Sequence, residues 1–326
     1  MAKIGDLALT LTDLGKRLDA NGKIDKIIEI AAETNEVVLD MLNVEGNLAT
    51  GHKTTIRTGY PSAFWRMYNQ GVPQSKSKTQ QITDTCGMLE AFSTVDADMA
   101  DLNGNTAEFR LSEDRAYIQA MNMEMAKTVF YGDTSKTPEK FLGLAPRYST
   151  LDPKVPISKN VIDAGGANNL TSIFLVCWGA NTVHGIYPKG SKAGFSHEDL
   201  GRDKVTDGNG GTFMAYQTHY KWDLGLCVRD HRYVVRIANI DLATITDEKF
   251  IEFMIRASEL LPDENLGRPV FYMNRAARTR LRLAKLGNKN THVTFDTVEG
   301  KKVMKFDEIP VRRTDALTED ETKVAA

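Results

Sequence analysis

The segment AEFRLSEDRAYIQAMNMEMAKTVFYGD, from Ala107 to Asp133, decides how the rest of the chain is read. Leu111, Ile118, Met121, Met125 and Val129 recur at helical spacing, and Gly132 stands where a C-terminal cap belongs. The pattern predicts one long helix over residues 107–131. Ser112, followed by Glu113 and Asp114, offers an alternative start, because a hydroxyl cap and first-turn carboxylates both favour a helix N-terminus. At 1.5 Å per residue the helix is roughly 30–37 Å long, enough to span a domain. Core packing is the plain reading of Met121, Met123 and Met125, and a surface of adaptable thioethers that slides and repacks is the alternative.

Upstream, helical periodicity stops. Residues 46–94 are rich in Thr, Ser, Lys and Gln and enclose the aromatic cluster Phe64, Trp65 and Tyr68. Residues 54–58 and 80–94 have β character, with turn residues at Gly59-Tyr60-Pro61 and Gly71-Val72-Pro73, so a long two-stranded arm is expected. Such a ribbon is marginal in water unless it rests on something else, here a second subunit. Before it, Ile24, Ile27, Ile28 and Ala31, extended by Val38 and Leu42, form the apolar stripe of a helical arm broken at Asn21-Gly22.

Downstream, Pro146, Pro153, Pro156 and Gly165-Gly166 mark a boundary, and residues 170–242 are dense in β signals at 172–178, 213–220, 224–228 and 233–237. A helix over 247–261 is predicted from Thr246 as N-cap and Pro262 as stop. A strand over 269–273 follows, then a helix over 275–286 capped by Asn274, a hairpin around Glu299-Gly300, and an acidic tail expected to be mobile.

Composition excludes more than it assigns. With 326 residues, a net charge of −2 and 41% hydrophobic residues, the chain can bury a sizeable core and carries no global basic field for nucleic acid. Cys86, Cys177 and Cys227 are too far apart for a zinc knuckle or a disulfide framework, and a reducing cytoplasm is the expected site of synthesis. The first twelve residues lack the pattern of a signal peptide, and the most apolar run, 173–178, is too short to cross a bilayer.

Catalytic and metal patterns are sparse. Cys227 and His231 are spaced C-x3-H, with His184, His197 and His219 in the same region, but no second local pair completes a site, so no metal is expected. Asp96, Asp98, Asp101 and Asn103 fail the calcium-loop pattern at Ala100. No G-x-S-x-G occurs, and neither Gly165-Gly166 nor the loop at 207–211 is followed by Lys-Ser/Thr, so no catalytic residue and no cofactor are assigned. Arg275, Arg278 and Arg282, with Lys285, share one helical face opposite Ala277, Leu281 and Ala284; a solvated face, pairing with carboxylates of a neighbouring subunit, and phosphate binding are the open readings.

The order of parts resembles the major capsid proteins of tailed double-stranded DNA bacteriophages, an α+β architecture known as the HK97-like fold and shared with encapsulin-type compartments. The residues that carry the resemblance are the segment from Ala107 to Asp133, FLGL from Phe141 to Leu144, RPVFYMNR from Arg268 to Arg275 and FDEIPV from Phe306 to Val311. Overall composition is similar to that of short-tailed phage capsid proteins. The resemblance implies an N-terminal helical arm (1–46), an extended β-hairpin loop (47–94), a peripheral domain (95–169 with a spine helix at about 107–131, and 240–326) and an axial domain (170–239). It further implies self-assembly into homo-hexamers and pentamers, an icosahedral head enclosing double-stranded DNA without sequence-specific binding, procapsid maturation, and a virion location after assembly in the bacterial cytoplasm.

The partners implied are a separate scaffolding protein, a portal protein at one vertex and a decoration or cement protein, with no membrane. The short segment ahead of the extended loop leads us to expect no fused scaffolding domain, and Lys53, Lys76 and Lys78 do not identify a covalent crosslink, so none is expected. Phe64, Trp65, Tyr68, Arg275, Arg278 and Arg282 are the candidate inter-subunit contacts. An encapsulin-like nanocompartment shell is the first alternative, and an enzyme with a site around His219, Asp223 and His231 is the second.

Overall fold

The computed structural model describes residues 35–104, 106–206, 210–287, 292–298 and 301–325. The arm stripe at Ile24 to Ala31, the break at Asn21-Gly22, Asp207 to Asn209 of the glycine-rich loop, and Glu299-Gly300 lie outside them. In chain order the elements are α1 (Val37–Asp40), β1 (Asn43–Glu45), β2 (Gly51–Gly59), β3 (Lys78–Asp96), α2 (Ala97–Asp101), α3 (Thr106–Tyr131) and α4 (Leu144–Arg147). They continue with β4 (Val161–Asp163), β5 (Leu170–Trp178), β6 (Val183–Tyr187), β7 (Phe195–Thr206), β8 (Thr212–Val228) and β9 (Val234–Asp241). Then come α5 (Asp247–Glu259), β10 (Arg268–Met273), α6 (Arg275–Gly287), β11 (Val293–Val298), β12 (Lys301–Phe306) and β13 (Ile309–Arg313).

The run LTSIFLVCW becomes β5 and is buried along its whole length. An unbroken apolar run suits a strand covered on both faces. It pairs antiparallel with β9 through Phe174↔Arg236 and Val176↔Val234, and antiparallel with β10 through Tyr272↔Phe174 and Val270↔Val176. Beyond β10 the path runs through β13, parallel, to the β12–β11 hairpin, while β4 lies parallel to β9. Phe250, Met254 and Ala257 of α5 and Ala277, Leu281 and Ala284 of α6 are buried. Each fully buried large apolar side chain here contributes roughly 1.5–3 kcal/mol. Both helices start as expected: Thr246 Oγ1 accepts from Lys249 N (3.4 Å), and Asn274 Oδ1 accepts from Ala277 N (2.8 Å).

A second arm of sheet leaves β5 through β6 and runs β6–β8–β3–β2, with β7 on the other edge of β8. β3 serves two partners. Its first half pairs with β2, from Gly51↔Thr85 to Gly59↔Lys78, and its second half pairs with β8, from Cys86↔Gly225 to Asp96↔Ala215. Two sequence expectations differ here. β8 is one strand where two are expected, because Lys221, Trp222 and Asp223, the apparent interruption, pair with Glu90, Leu89 and Met88 of β3. β7 was not anticipated, since it lies largely exposed and its residues do not alternate in polarity.

α3 matches the predicted long helix, but its stripe is buried only in part. Met125 and Val129 lie in the main core and Met121 is buried, whereas Leu111 and Ile118 are exposed. The N-terminal half meets the sheet arm through Phe109, which packs with Val95 and Ala100, through Tyr117 stacked on Tyr220, and through Arg110 bonded to Asp199 Oδ1 (2.6 Å). Gly132 ends the helix without entering the left-handed region; a Cβ there would sit 2.3 Å from Phe141 O, so a close chain crossing requires the glycine. Near the N-terminal end of the described chain, Val37 and Met41 are buried while Leu42 is exposed, one position out of phase with the predicted stripe.

The tail is a correction. It was read as mobile, yet Ala316, Leu317 and Val324 are buried, Val324 N donates to Asn239 Oδ1 (2.8 Å), and Glu321 Oε2 accepts from Arg236 Nη2 (2.8 Å). Arg236 is the cation in the fully buried β9, and a buried charge requires a partner. The tail supplies it, together with contacts from Glu321 to Tyr131 and Ser172.

Candidate functional site

The arm made by β2 and the first half of β3 carries a tip, residues 60–77, in which every residue is exposed. Its internal bonds are local: Gln70 N to Met67 O (3.3 Å) and Ser75 Oγ to Ser62 O (2.8 Å). Asn69 adopts φ 67°, a left-handed turn that asparagine tolerates. The predicted cluster sits here: Phe64 is half exposed, Tyr68 is 94% exposed and Trp65 is fully so, joined by Tyr60, Met67 and Val72. Large apolar side chains clustered in the open mark an interaction surface.

The predicted arginines are not brought to the tip. Arg275 Nη2 bonds to Asp315 Oδ2 (3.1 Å) within the chain, on the solvent side of α6. Arg278 is half buried; burial first, and then the Arg282 and Arg313 guanidiniums, hold its pKa below the ordinary arginine range. Arg282 is exposed. Nearby, Arg312 reaches Glu36 (2.7 Å) and Asp40 (3.3 Å). The basic face is thus partly neutralised from inside the subunit.

The residues weighed for catalysis do not converge. His219 Nε2 lies 3.3 Å from Glu90 Oε2 and its ring stacks on Phe92, Asp223 is 3.7 Å from Lys221 Nζ, and His231 contributes its carbonyl to the Tyr148 hydroxyl (2.8 Å). Burial pushes the Cys86 and Cys177 thiols up to about 11 and the Cys227 thiol up to about 12, the opposite of what an activated thiolate needs.

Sequence reasoning missed one grouping. At the foot of the arm, His52 of β2 joins His184 of β6 and Cys227 of β8 in a buried cluster, whereas His231 lies outside it. The His52 and His184 rings meet edge to face at 6.0 Å, and Asp84, bonded to Arg147 Nη2 (2.7 Å), lies opposite His52 in the β2–β3 register. Burial, aided by the Arg229 charge, takes His184 down to about 4, so the ring is neutral. The C-x3-H spacing pointed to Cys227 but to the wrong histidine, because His52 is distant in sequence and arrives through strand pairing. Among the described residues no helix is long and apolar enough to cross a membrane.

The family model described as "Major capsid protein GP7" matches residues 19–325. A chain of the bacteriophage Epsilon15 structure superposes with a TM-score of 0.77 at 34% identity, covering 100% of this chain and 99% of that one. The bacteriophage JBD30 capsid matches in fold at TM-score 0.53 and 10% identity, over 88% of this chain and 93% of that one. The SrpI encapsulin of Synechococcus elongatus is more distant, at TM-score 0.43 and 10% identity, over 74% and 98% of the two chains. No curated protein matches the sequence. A family match over nearly the whole chain, a full-length relative in a phage particle and a capsid fold around an exposed apolar arm lead to one assignment: this chain belongs to the Major capsid protein GP7 family and is a structural subunit of a phage capsid with the HK97-like fold.

Proposed function

We propose that the subunit assembles into hexamers and pentamers that tile an icosahedral head around double-stranded DNA, with the arm tip as its principal contact with neighbouring subunits. The observation that carries this reading is the tip: Phe64, Trp65 and Tyr68 stand exposed at the end of a two-stranded arm, uncovered by any of the described residues. Exposed aromatics of this kind become interface anchors when a partner covers them. In this reading residues 47–94 are the extended loop, 170–239 the axial domain, and 95–169 with 240–326 the peripheral domain, with α3 as the spine. Arg275, Arg278 and Arg282 present a secondary, electrostatic contact whose strength Asp315 already tempers.

The protein does its work as a wall and not as a catalyst. A net charge of −2 suits a shell that must hold DNA without clinging to it. A scaffolding protein, a portal protein and a decoration protein complete the proposed set of partners. Co-expression with the neighbouring phage genes followed by negative-stain microscopy tests the reading: closed particles of uniform diameter containing DNA are expected. A subunit that stays monomeric or dimeric under those conditions would overturn it, and closed shells that never hold nucleic acid would favour a nanocompartment.

A further inference from the structure

Four strands meet at the foot of the arm, and each places one metal-ligating group there. His52 and Asp84 are directly opposed in the β2–β3 pair, and His184 and Cys227 are directly opposed in the β6–β8 pair. The ligand atoms of His52, His184 and Cys227 lie within 4.8 Å of one another, all buried. His184 is fully buried and neither ring nitrogen makes a well-aligned hydrogen bond, although the Gly179 backbone lies beside it, and the buried Asp84 Oδ2 has only the Cys227 thiol for company. A neutral imidazole brings one donor and one acceptor, and burying both unmet is costly. Unmet groups of this kind call for an ion or a water.

The donor set separates the two. A thiol is a poor hydrogen-bond partner for water, whereas two imidazoles, a thiolate and a carboxylate form a zinc ligand set. We propose that His52, His184 and Cys227, with Asp84 as fourth ligand, form a structural zinc site that clamps the foot of the arm to the body of the subunit. Zinc would replace the Cys227 thiol proton, which leaves to solvent, and the thiolate and the Asp84 carboxylate would together balance the dication.

The geometry needs small adjustments. Tetrahedral ligands at zinc bond lengths stand roughly 3.3–3.8 Å apart, so the cluster must contract by about 1 Å through side-chain rotation. His52 Nδ1 accepts from Asn47 N (3.3 Å), which leaves Nε2 as the ligand atom; Arg229 Nη2, now 3.4 Å from it, must turn toward solvent. Asp84 lies outside the group of ligand atoms within 4.8 Å of one another, so its Oδ2 would have to move inward while Oδ1 keeps its bond to Arg147 as a supporting contact. The site lies within one subunit and goes beyond the capsid reading without resting on it.

The test uses the untagged full chain. Elemental analysis after dialysis should find about one zinc per chain, and a strong chelator should lower the melting temperature. Cobalt substituted for zinc should give a thiolate-to-cobalt charge-transfer band with tetrahedral ligand-field bands. Cys227→Ser should abolish the charge-transfer band, His184→Gln should cut metal retention at least tenfold, and His231→Gln should leave both unchanged. Folded wild-type chain that takes up neither zinc nor cobalt when offered them overturns the proposal. So does binding that survives both Cys227→Ser and His184→Gln. If the variants fail to fold, the wild-type cobalt spectrum decides alone, since a bound metal without a thiolate band excludes Cys227.

Discussion

The C-terminal tail and the tip of the β2–β3 arm both lack helical or strand periodicity, yet one is fastened to the subunit and the other is bare. In the tail, Ala316, Leu317 and Val324 are buried and Glu321 is paired with Arg236. In the tip, six large apolar side chains, Tyr60, Phe64, Trp65, Met67, Tyr68 and Val72, are all exposed. The tail is therefore bound by fewer and smaller groups than the tip leaves uncovered. What separates the regions is a partner: β9 carries the buried Arg236, whose counter-ion the tail supplies, whereas among the described residues the tip's aromatics stay uncovered. The tail's contacts stabilise the fold, and in the proposed reading the tip's side chains serve association.

Breaking the tail should have the largest effect on the isolated subunit. Glu321→Ala leaves Arg236 buried without its counter-ion and removes the partner of Tyr131 and Ser172. Loss of one member of a buried pair costs about 3–5 kcal/mol, and urea unfolding of unassembled subunit should register it. A variant that unfolds at the wild-type midpoint would mean that solvent reaches Arg236 and that the tail is fastened by its apolar residues alone. Leu317→Ala measures that apolar part. Leu317 is 3% exposed, so truncation should cost about 2–4 kcal/mol in the same assay.

The difference between the regions was only half legible in the sequence. The long helix, the capped helices α5 and α6, and the β11–β12 and β2–β3 hairpins follow from periodicity, caps and turn residues, because those signals are local. The aromatic tip could be read as bare because no apolar periodicity surrounds Trp65. The tail could not be read as fastened, since Glu321 among Glu319 and Asp320 looks like any acidic run, and its partner lies 85 residues away on a strand that otherwise reads as plain core. The His52–His184–Cys227 cluster escaped for the same reason, since long-range strand pairing creates it, whereas β7 escaped because its exposed residues carry no alternation. Leu111 and Ile118 look like core in a helical wheel, and only the tertiary structure reveals that the sheet arm leaves them uncovered.

The smallest effect on the subunit should come from the tip, and it sharpens the contrast most. Trp65→Ala with Tyr68→Ala removes exposed side chains, so the unfolding free energy of unassembled subunit in urea should change by less than about 0.5 kcal/mol. Assembly should respond in the opposite sense, because large aromatic anchors dominate interfaces and truncating one costs about 2 kcal/mol or more. That penalty recurs at every copy in a shell, so a modest loss per contact multiplies into failure to close. Sedimentation of the variant co-expressed with the neighbouring phage genes should find free subunits or partial shells where wild type gives closed particles. If shells form normally, the tip is ornamental and the fastening of neighbours must be sought on the α6 arginines or on the exposed Leu111 and Ile118 of the long helix. If instead the double variant unfolds by circular dichroism, the aromatics belong to the subunit's own core and the division between a folding region and an association region fails.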